Sequence, residues 1–192
     1  NRGSFERVGE LKWMADNRTI LFNQTDQGYY NWFTIRADSQ STPKQLTRDK
    51  RNNRLLVMNK KRTRAVYLSG RDELRLLDLK TGQSTLVVKD EFWAFQVSKP
   101  SFSPNEEYIL YTAKRNFEED IFIYNIKEKK TANLTTSGVS ETAPVWSPDG
   151  KYIYFTSQRL KPSYPFGMPN AKVYRMALDK EDEPYRADKY NE

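Results

Sequence analysis

One phrase recurs four times along the chain, and that recurrence limits the fold more tightly than any single motif. It reads LKWMADNRTILFN from Leu11, LLVMNKKRTRAVYLS from Leu55, PSFSPNEEYILYTA from Pro100 and PVWSPDGKYIYFTS from Pro144. The residue just before the central corner is Trp13, Val57, Phe102 and Trp146, which sets spacings of 44, 45 and 44. A period of about 40–50 residues points to a propeller or a solenoid, whose units cannot bury their apolar faces alone.

Each corner precedes a short apolar run: Ile20 to Phe22, Ala65 to Leu68, Ile109 to Tyr111, and Ile153 to Phe155. These runs are β-branched or aromatic and too short for helices, so they read as strands. A third segment follows in every copy, NWFTIRAD, ELRLLDLK, DIFIYNIK and KVYRMALD, alternating with the period of two that a strand requires. A weaker fourth is KQLTRD, STLVVKD, TANLTT and PYRADK. Four strands per unit of this length describe a propeller blade. The expectation is therefore an all-β chain of about four blades, each of four antiparallel strands, at approximately 8–50, 52–92, 93–138 and 139–184, with 185–192 starting a linker.

The Ser147-Pro148-Asp149-Gly150 corner reads as architecture. Pro148 presets φ at the second turn position, Asp149 suits the third, and Gly150 takes the positive φ that closes a hairpin with a bulge. The other corners, read as Ala15 to Arg18, Asn59 to Arg62 and Ser103 to Glu106, keep turn-forming character but lose the Gly. A nucleophile would not vary so freely within one chain, so Ser147 and Asp149 are assigned to the turn.

Composition removes several chemistries. The chain has no His and no Cys, which excludes Ser-His-Asp triads, imidazole bases, His-ligated zinc and thiolate sites. No metal, cofactor or catalytic residue is expected, and no apolar stretch is long enough to cross a bilayer as a helix. The net charge of +7 is concentrated between residues 44 and 64, where Lys44, Arg48, Lys50, Arg51, Arg54, Lys60, Lys61, Arg62 and Arg64 face the single acid Asp49. The blade map splits this group between opposite faces, unlike the continuous track of a nucleic-acid binder, so no nucleic acid is expected. The run Glu118-Glu119-Asp120 is read as a loop-borne charged stretch. NRGSFERVGE shows no signal peptide, and GSFERV is expected as the outer strand of a further blade.

The Ser-Pro-Asp-Gly-Lys-aromatic-Ile-aromatic-Phe-Thr-Ser repeat resembles the TolB-type propeller. DELRLLDLKTGQ, KDEFWAFQVSKPSFSP, RNFEEDIFIYNI, YIYFTSQRLKPSYPFGMPNAKVYRM and DEPYRADKYNE resemble more closely the propeller of bacterial tricorn-type serine peptidases. The resemblance implies an incomplete part of a six- or seven-bladed propeller. It also implies a noncatalytic segment of a larger serine peptidase, acting as scaffold and as a module for peptide access or selection. Implied partners are peptides or unfolded polypeptide and other domains of the parent protein, with room for a homo-oligomer, in the periplasm or cell envelope. The alternatives are a TolB-like interaction propeller without a hydrolase and the propeller gate of a prolyl-oligopeptidase-type enzyme.

In such a blade the loops from strand two to three and from strand four to the next blade share one face, opposite the corners. Tyr29, Tyr30, Phe92, Phe95, Lys114 and the long loop from Gln158 to Ala171 fall on it. The peptide-binding candidates there are Arg71, Trp93, Arg115, Arg159, Tyr164 and Phe166: aromatic contact with an extended chain, and cations to capture a carboxylate.

Overall fold

A computed structural model describes residues 8–93, 98–163 and 168–179. Every regular element among them is a strand. The first sheet contains β1 (Val8–Trp13), β2 (Thr19–Asp26), β3 (Tyr29–Arg36) and β4 (Lys44–Gln45). The second contains β5 (Asn53–Met58), β6 (Arg64–Ser69), β7 (Glu73–Asp78) and β8 (Ser84–Lys89). The third contains β9 (Ser101–Phe102), β10 (Tyr108–Arg115), β11 (Glu118–Asn125) and β12 (Lys130–Asn133). The fourth shows β13 (Glu141–Trp146), β14 (Tyr152–Ser157) and β15 (Lys172–Ala177). Each is an antiparallel meander in sequence order, so the chain is an arc of four blades, an incomplete propeller. PYRADK, expected as the fourth strand of the last blade, and GSFERV, up to Val8, lie outside the described residues.

Three apolar layers glue the blades together. Leu21 and Trp32 of the first blade meet Leu56, Ala65, Tyr67 and Leu77 of the second. Val66, Leu68 and Leu74 of the second meet Ile109, Tyr111 and Phe122 of the third, and Leu110 and Ile121 meet Ile153 and Phe155 of the fourth. Burying each such large side chain contributes about 1.5–3 kcal/mol relative to exposure. A blade covered on both faces loses the alternation of a half-buried strand, and β10 accordingly runs five buried residues in succession, Ile109 to Ala113. In the fourth blade, by contrast, β14 alternates buried Ile153 and Phe155 with exposed Tyr154.

The hairpin corners share one geometry. Backbone N–H groups of Asn17, Arg62, Glu106 and Gly150 donate to the carbonyls of Met14, Asn59, Ser103 and Ser147 at 2.9–3.1 Å. All four donors have positive φ, 51°, 53°, 61° and 74°, as a type I turn closing into a bulge requires. This corrects two sequence assignments. The first corner is Met14 to Asn17, one residue earlier than read, and the residue before the second is Met58, not Val57. The pairings Trp13 to Ile20, Met58 to Ala65, Phe102 to Ile109 and Trp146 to Ile153 fix the equivalence. A register shift precedes the corner in β1, β5 and β13 alike; the slip arose in β5 because Leu55 to Met58 is an apolar run that carries no phase of its own.

Trp13 and Trp146 thus occupy the same blade position in different surroundings. Trp146 packs on the layer between the third and fourth blades. Trp13 is 51 % exposed, with no blade described in front of it.

Candidate functional site

The turns β6–β7, β10–β11 and β14–β15 and the loops between blades meet on one face, as the sequence map requires. Its centre is the loop after β8. The Phe92 N–H donates to the Arg71 carbonyl at 2.8 Å, fixing the next residue, Trp93, over the third blade. The Trp93 indole N–H donates to Glu91, Lys114 Nζ lies 5.2 Å from its ring centre, and Phe117 meets the ring edge-on at 6.0 Å. From below, the Arg54 guanidinium donates to the Trp93 carbonyl at 2.9 Å. Burial pulls the pKa of Arg54 below its ordinary value.

Arg71, Arg115 and Arg159 turn out to be one blade position repeated. Each lies four residues beyond Tyr67, Tyr111 or Phe155, themselves equivalent members of β6, β10 and β14. The fold uses two of them. Arg115 grips both carboxylate oxygens of Asp90 at 2.6 and 3.1 Å and covers the Phe122 ring at 4.5 Å. Beneath it, burial and then the Asp90 charge push the Tyr111 phenol above its ordinary pKa. Arg159 donates to Glu141 at 2.6 Å and lies 5.3 and 5.0 Å from the ring centres of Phe155 and Tyr174. Arg71 is exposed and makes no ion pair among the described residues. Tyr164 and Phe166 fall outside the described residues.

A second feature was not anticipated in the sequence. Strands β5, β9 and β13 each stand at a sheet edge, and they converge on a groove of about 360 Å³ lined by Val57, Lys99, Pro100, Ser101, Pro144 and Val145. Ser101 Oγ is buried there without a partner. Bulges at Leu55 and Ala143, with φ of 55° and 52°, bend β5 and β13 along this wall. The visible signal is X-Pro at Lys99-Pro100 and Ala143-Pro144, equivalent positions in two blades: Pro lacks the N–H that a paired strand needs and favours edges.

The Ser147 hydroxyl of the fourth corner is committed to its own turn. Ser147 Oγ accepts the Tyr152 N–H at 2.9 Å and donates to Asp149 at 2.5 Å. That hydroxyl, followed by the Lys151 N–H, holds the Asp149 carboxyl below its ordinary pKa. Ser103 and Asn105 repeat the arrangement in the third blade.

The Glu118-Glu119-Asp120 run requires correction. It opens β11 instead of lying in a loop, and Glu119 and Asp120 are buried. Glu119 accepts from Ser98 and Lys114 at 2.8 and 3.1 Å, Asp120 from Asn133 at 2.9 Å, and Glu118 from Ser140 at 2.8 Å. Burial raises the Asp120 pKa. Its equivalents Asn31 and Glu73 are buried polar residues too, a recurrence readable once the strands are in register. Much of the basic window is likewise occupied: Arg51 pairs with Asp72, Arg64 with Glu106 at 3.4 Å, and Arg62 reaches Asn17 at 3.1 Å. Among the described residues no cluster of acidic side chains has the grouping of a metal site, and no helix is long and apolar enough to cross a membrane.

Comparison with known proteins agrees with this architecture. The family model of the TolB beta propeller domain matches residues 58–186. TolB from Acinetobacter baumannii superposes with a TM-score of 0.61 at 18 % identity, over 90 % of this chain and 41 % of that one. The tricorn protease gives 0.70 at 16 % identity, over 90 % and 18 %, and a prolyl endopeptidase gives 0.60 at 14 %, over 92 % and 29 %. The chain spans less than half the length of each of these proteins, and the likeness is one of fold. With the family matched over two thirds of its length and the blades in place, the chain belongs to the TolB beta propeller domain family.

Proposed function

We propose that this chain is a noncatalytic propeller segment of a tricorn-like serine peptidase, a scaffold that guides extended peptides to or from a catalytic region carried elsewhere in the intact protein. The observation that carries this reading is the groove along the inner edges of β5, β9 and β13. An edge strand presents unpaired N–H and C=O groups, so an extended peptide can add to it by main-chain hydrogen bonds. Apolar walls at Val57, Pro100, Pro144 and Val145 then accept side chains without demanding one sequence. Lys99 gives the groove a cation suited to a peptide's acidic side chains or its C-terminal carboxylate. We assign Trp93 and Arg71, on the loop face, to first contact with the chain. The proposed setting is the periplasm or cell envelope, in keeping with the family.

The family match favours a second reading, in which the same groove holds a fixed segment of a partner protein, as in an interaction propeller without a hydrolase. The two are separated by the fate of the bound chain. A fluorescein-labelled unfolded peptide is titrated against the 192-residue chain, against Lys99→Glu and against Val145→Asp, and is then incubated with the intact protein. Guided proteolysis predicts binding that weakens about tenfold or more in either variant, and cleavage by the intact protein alone. Binding without cleavage by the intact protein selects the adaptor. Hydrolysis by the isolated chain, or binding indifferent to both variants, defeats the proposal.

A further inference from the structure

On the corner-turn face, each pair of neighbouring blades meets at the turn position with positive φ, and the first two junctions are clasped there by a side chain. Arg62 of the second blade reaches the Met14 carbonyl and Asn17 Oδ1 of the first at 3.3 and 3.1 Å. Glu106 of the third accepts from Asn59 and Arg64 of the second at 2.8 and 3.4 Å, while the Arg64 guanidinium lies 5.8 Å from the centre of the Phe102 ring. Register gives the equivalents at the third junction: Gly150 for Glu106, Tyr108 for Arg64 and Trp146 for Phe102. The ring is kept, but the acid and the guanidinium are missing. What remains is a groove of about 570 Å³.

Its walls are Tyr108, Ile123, Leu134, Trp146 and Leu178, and among the described residues its rim carries Glu107, Asp149 and Asp179 against the cation Lys151. Asp149 uses Oδ1 for both of its turn hydrogen bonds, which leaves Oδ2 for another donor. Trp146 Nε1 is buried with no acceptor. We propose that this groove takes an arginine side chain from a partner polypeptide, whose guanidinium occupies the place that Arg64 fills one junction earlier. The aromatic and aliphatic walls suit the alkyl stem and stack on the planar cation; the acidic rim supplies fork-shaped acceptors that a lysine would use less fully. The partner's main-chain carbonyl is a suitable acceptor for the Trp146 N–H. This site lies on the opposite face from Trp93 and Arg71; Trp146 borders the inner groove as well, so the Glu107→Gln and Gly150→Arg arms, at residues that line this groove and not the inner one, separate the two readings.

The probes are acetyl-Leu-Arg-Leu-amide and its citrulline counterpart, which keeps the shape and loses the charge. The readout is the indole ¹⁵N–¹H resonance of Trp146, assigned by its loss in Trp146→Phe. The arginine peptide should shift that resonance saturably, the citrulline peptide should bind at least tenfold more weakly, and Glu107→Gln should weaken the arginine peptide severalfold. Gly150→Arg should abolish the shift by filling the groove from within. Its φ of 74° makes an arginine there strained, though the equivalent turn position holds Arg62 at 53°, and an added Cβ meets Pro104 at contact distances of 3.4 and 3.6 Å. Unchanged resonances for the other three tryptophans report that the variant is folded. A missing shift, equal shifts from the two peptides, or a shift that survives Gly150→Arg each overturns the proposal.

Discussion

Replacing Arg159 by alanine separates a structural cation from a surface one. Its partner Glu141 has a side chain with no exposure at all, Oε1 accepts from Arg159 at 2.6 Å and from Ser137 at 2.5 Å, and Oε2 is buried without a partner. Removing the cation strands a buried carboxylate, which costs about 3–5 kcal/mol when both partners are buried. The Arg159 side chain keeps 34 % of its exposure, so water recovers roughly a third of that and about 2–3 kcal/mol remains. Loss of the guanidinium from the faces of Phe155 and Tyr174 adds about 1 kcal/mol. With a urea slope of about 2.5 kcal/mol/M, the midpoint should fall by about 1–1.5 M. The control is the double variant Arg159→Ala/Glu141→Gln, which removes the stranded charge while keeping an acceptor for Ser137. It should recover at least about 1 kcal/mol of the loss, a coupling of the size expected for side chains in contact. A loss below about 0.5 kcal/mol for Arg159→Ala, within the range of an exposed pair, would refute the reasoning. So would a double variant no more stable than the single one.

Trp32→Ala should cost about 3–5 kcal/mol, because Trp32 is fully buried against Tyr67 between the first two blades; Trp13→Ala, at a half-exposed position, should cost clearly less than Trp146→Ala when their urea midpoints are compared. Ser147→Ala should lower stability by about 1 kcal/mol through its lost turn bonds and leave the affinity of the labelled peptide unchanged; a binding defect without a stability defect would contradict the architectural role of the corner. Two acids should respond to pH in opposite directions. Asp16 is held down to about 2 by the Thr19 hydroxyl and then by the N–H groups of Arg18 and Thr19, so its contribution is complete above the ordinary 3.8 and fades as pH falls towards the lower value. Asp16→Asn should therefore destabilise at pH 6 and converge on the parent near pH 2 in urea titrations. Asp120, raised by burial, weighs against the fold increasingly as pH climbs from the ordinary 3.8 to its folded pKa, and in full above it. Asp120→Asn should be more stable than the parent at pH 8, and a gap that did not narrow on acidification would count against that assignment.

The blades were legible because each is specified locally. The turn chemistry of Ser103-Pro104-Asn105 and Ser147-Pro148-Asp149-Gly150, the strand runs after it and the repeat spacing need no knowledge of neighbours. Where neighbours decide, the sequence was opaque. Glu119 and Asp120 resemble a solvated run because a single strand does not reveal that both faces of its sheet are covered. The inner groove arises only when β5, β9 and β13 are brought side by side, and nothing in one copy of the repeat encodes their convergence. The slip at Val57 has another origin: Leu55-Leu56-Val57-Met58 is apolar throughout and has no alternation to mark which residue abuts the corner.

The repeat also changes how the candidate cations are weighed. Arg71, Arg115 and Arg159 are one position carried through three blades, and position alone does not make them equal. Asp90 and the Phe122 ring absorb Arg115; Glu141 and two rings absorb Arg159. The acids that follow Arg71 in the chain are already committed, since Asp72 and Glu73 pair with Arg51 and Arg75. A cation whose charge is neutralised within the fold gains little by meeting a ligand carboxylate, because the new bond must displace an existing one of similar strength. The cation left over binds at no such cost. Of these three equivalent arginines, Arg71 is the one whose charge no described carboxylate neutralises, and it is assigned to peptide guiding for that reason, whereas Arg115 and Arg159 are tied to Asp90 and Glu141.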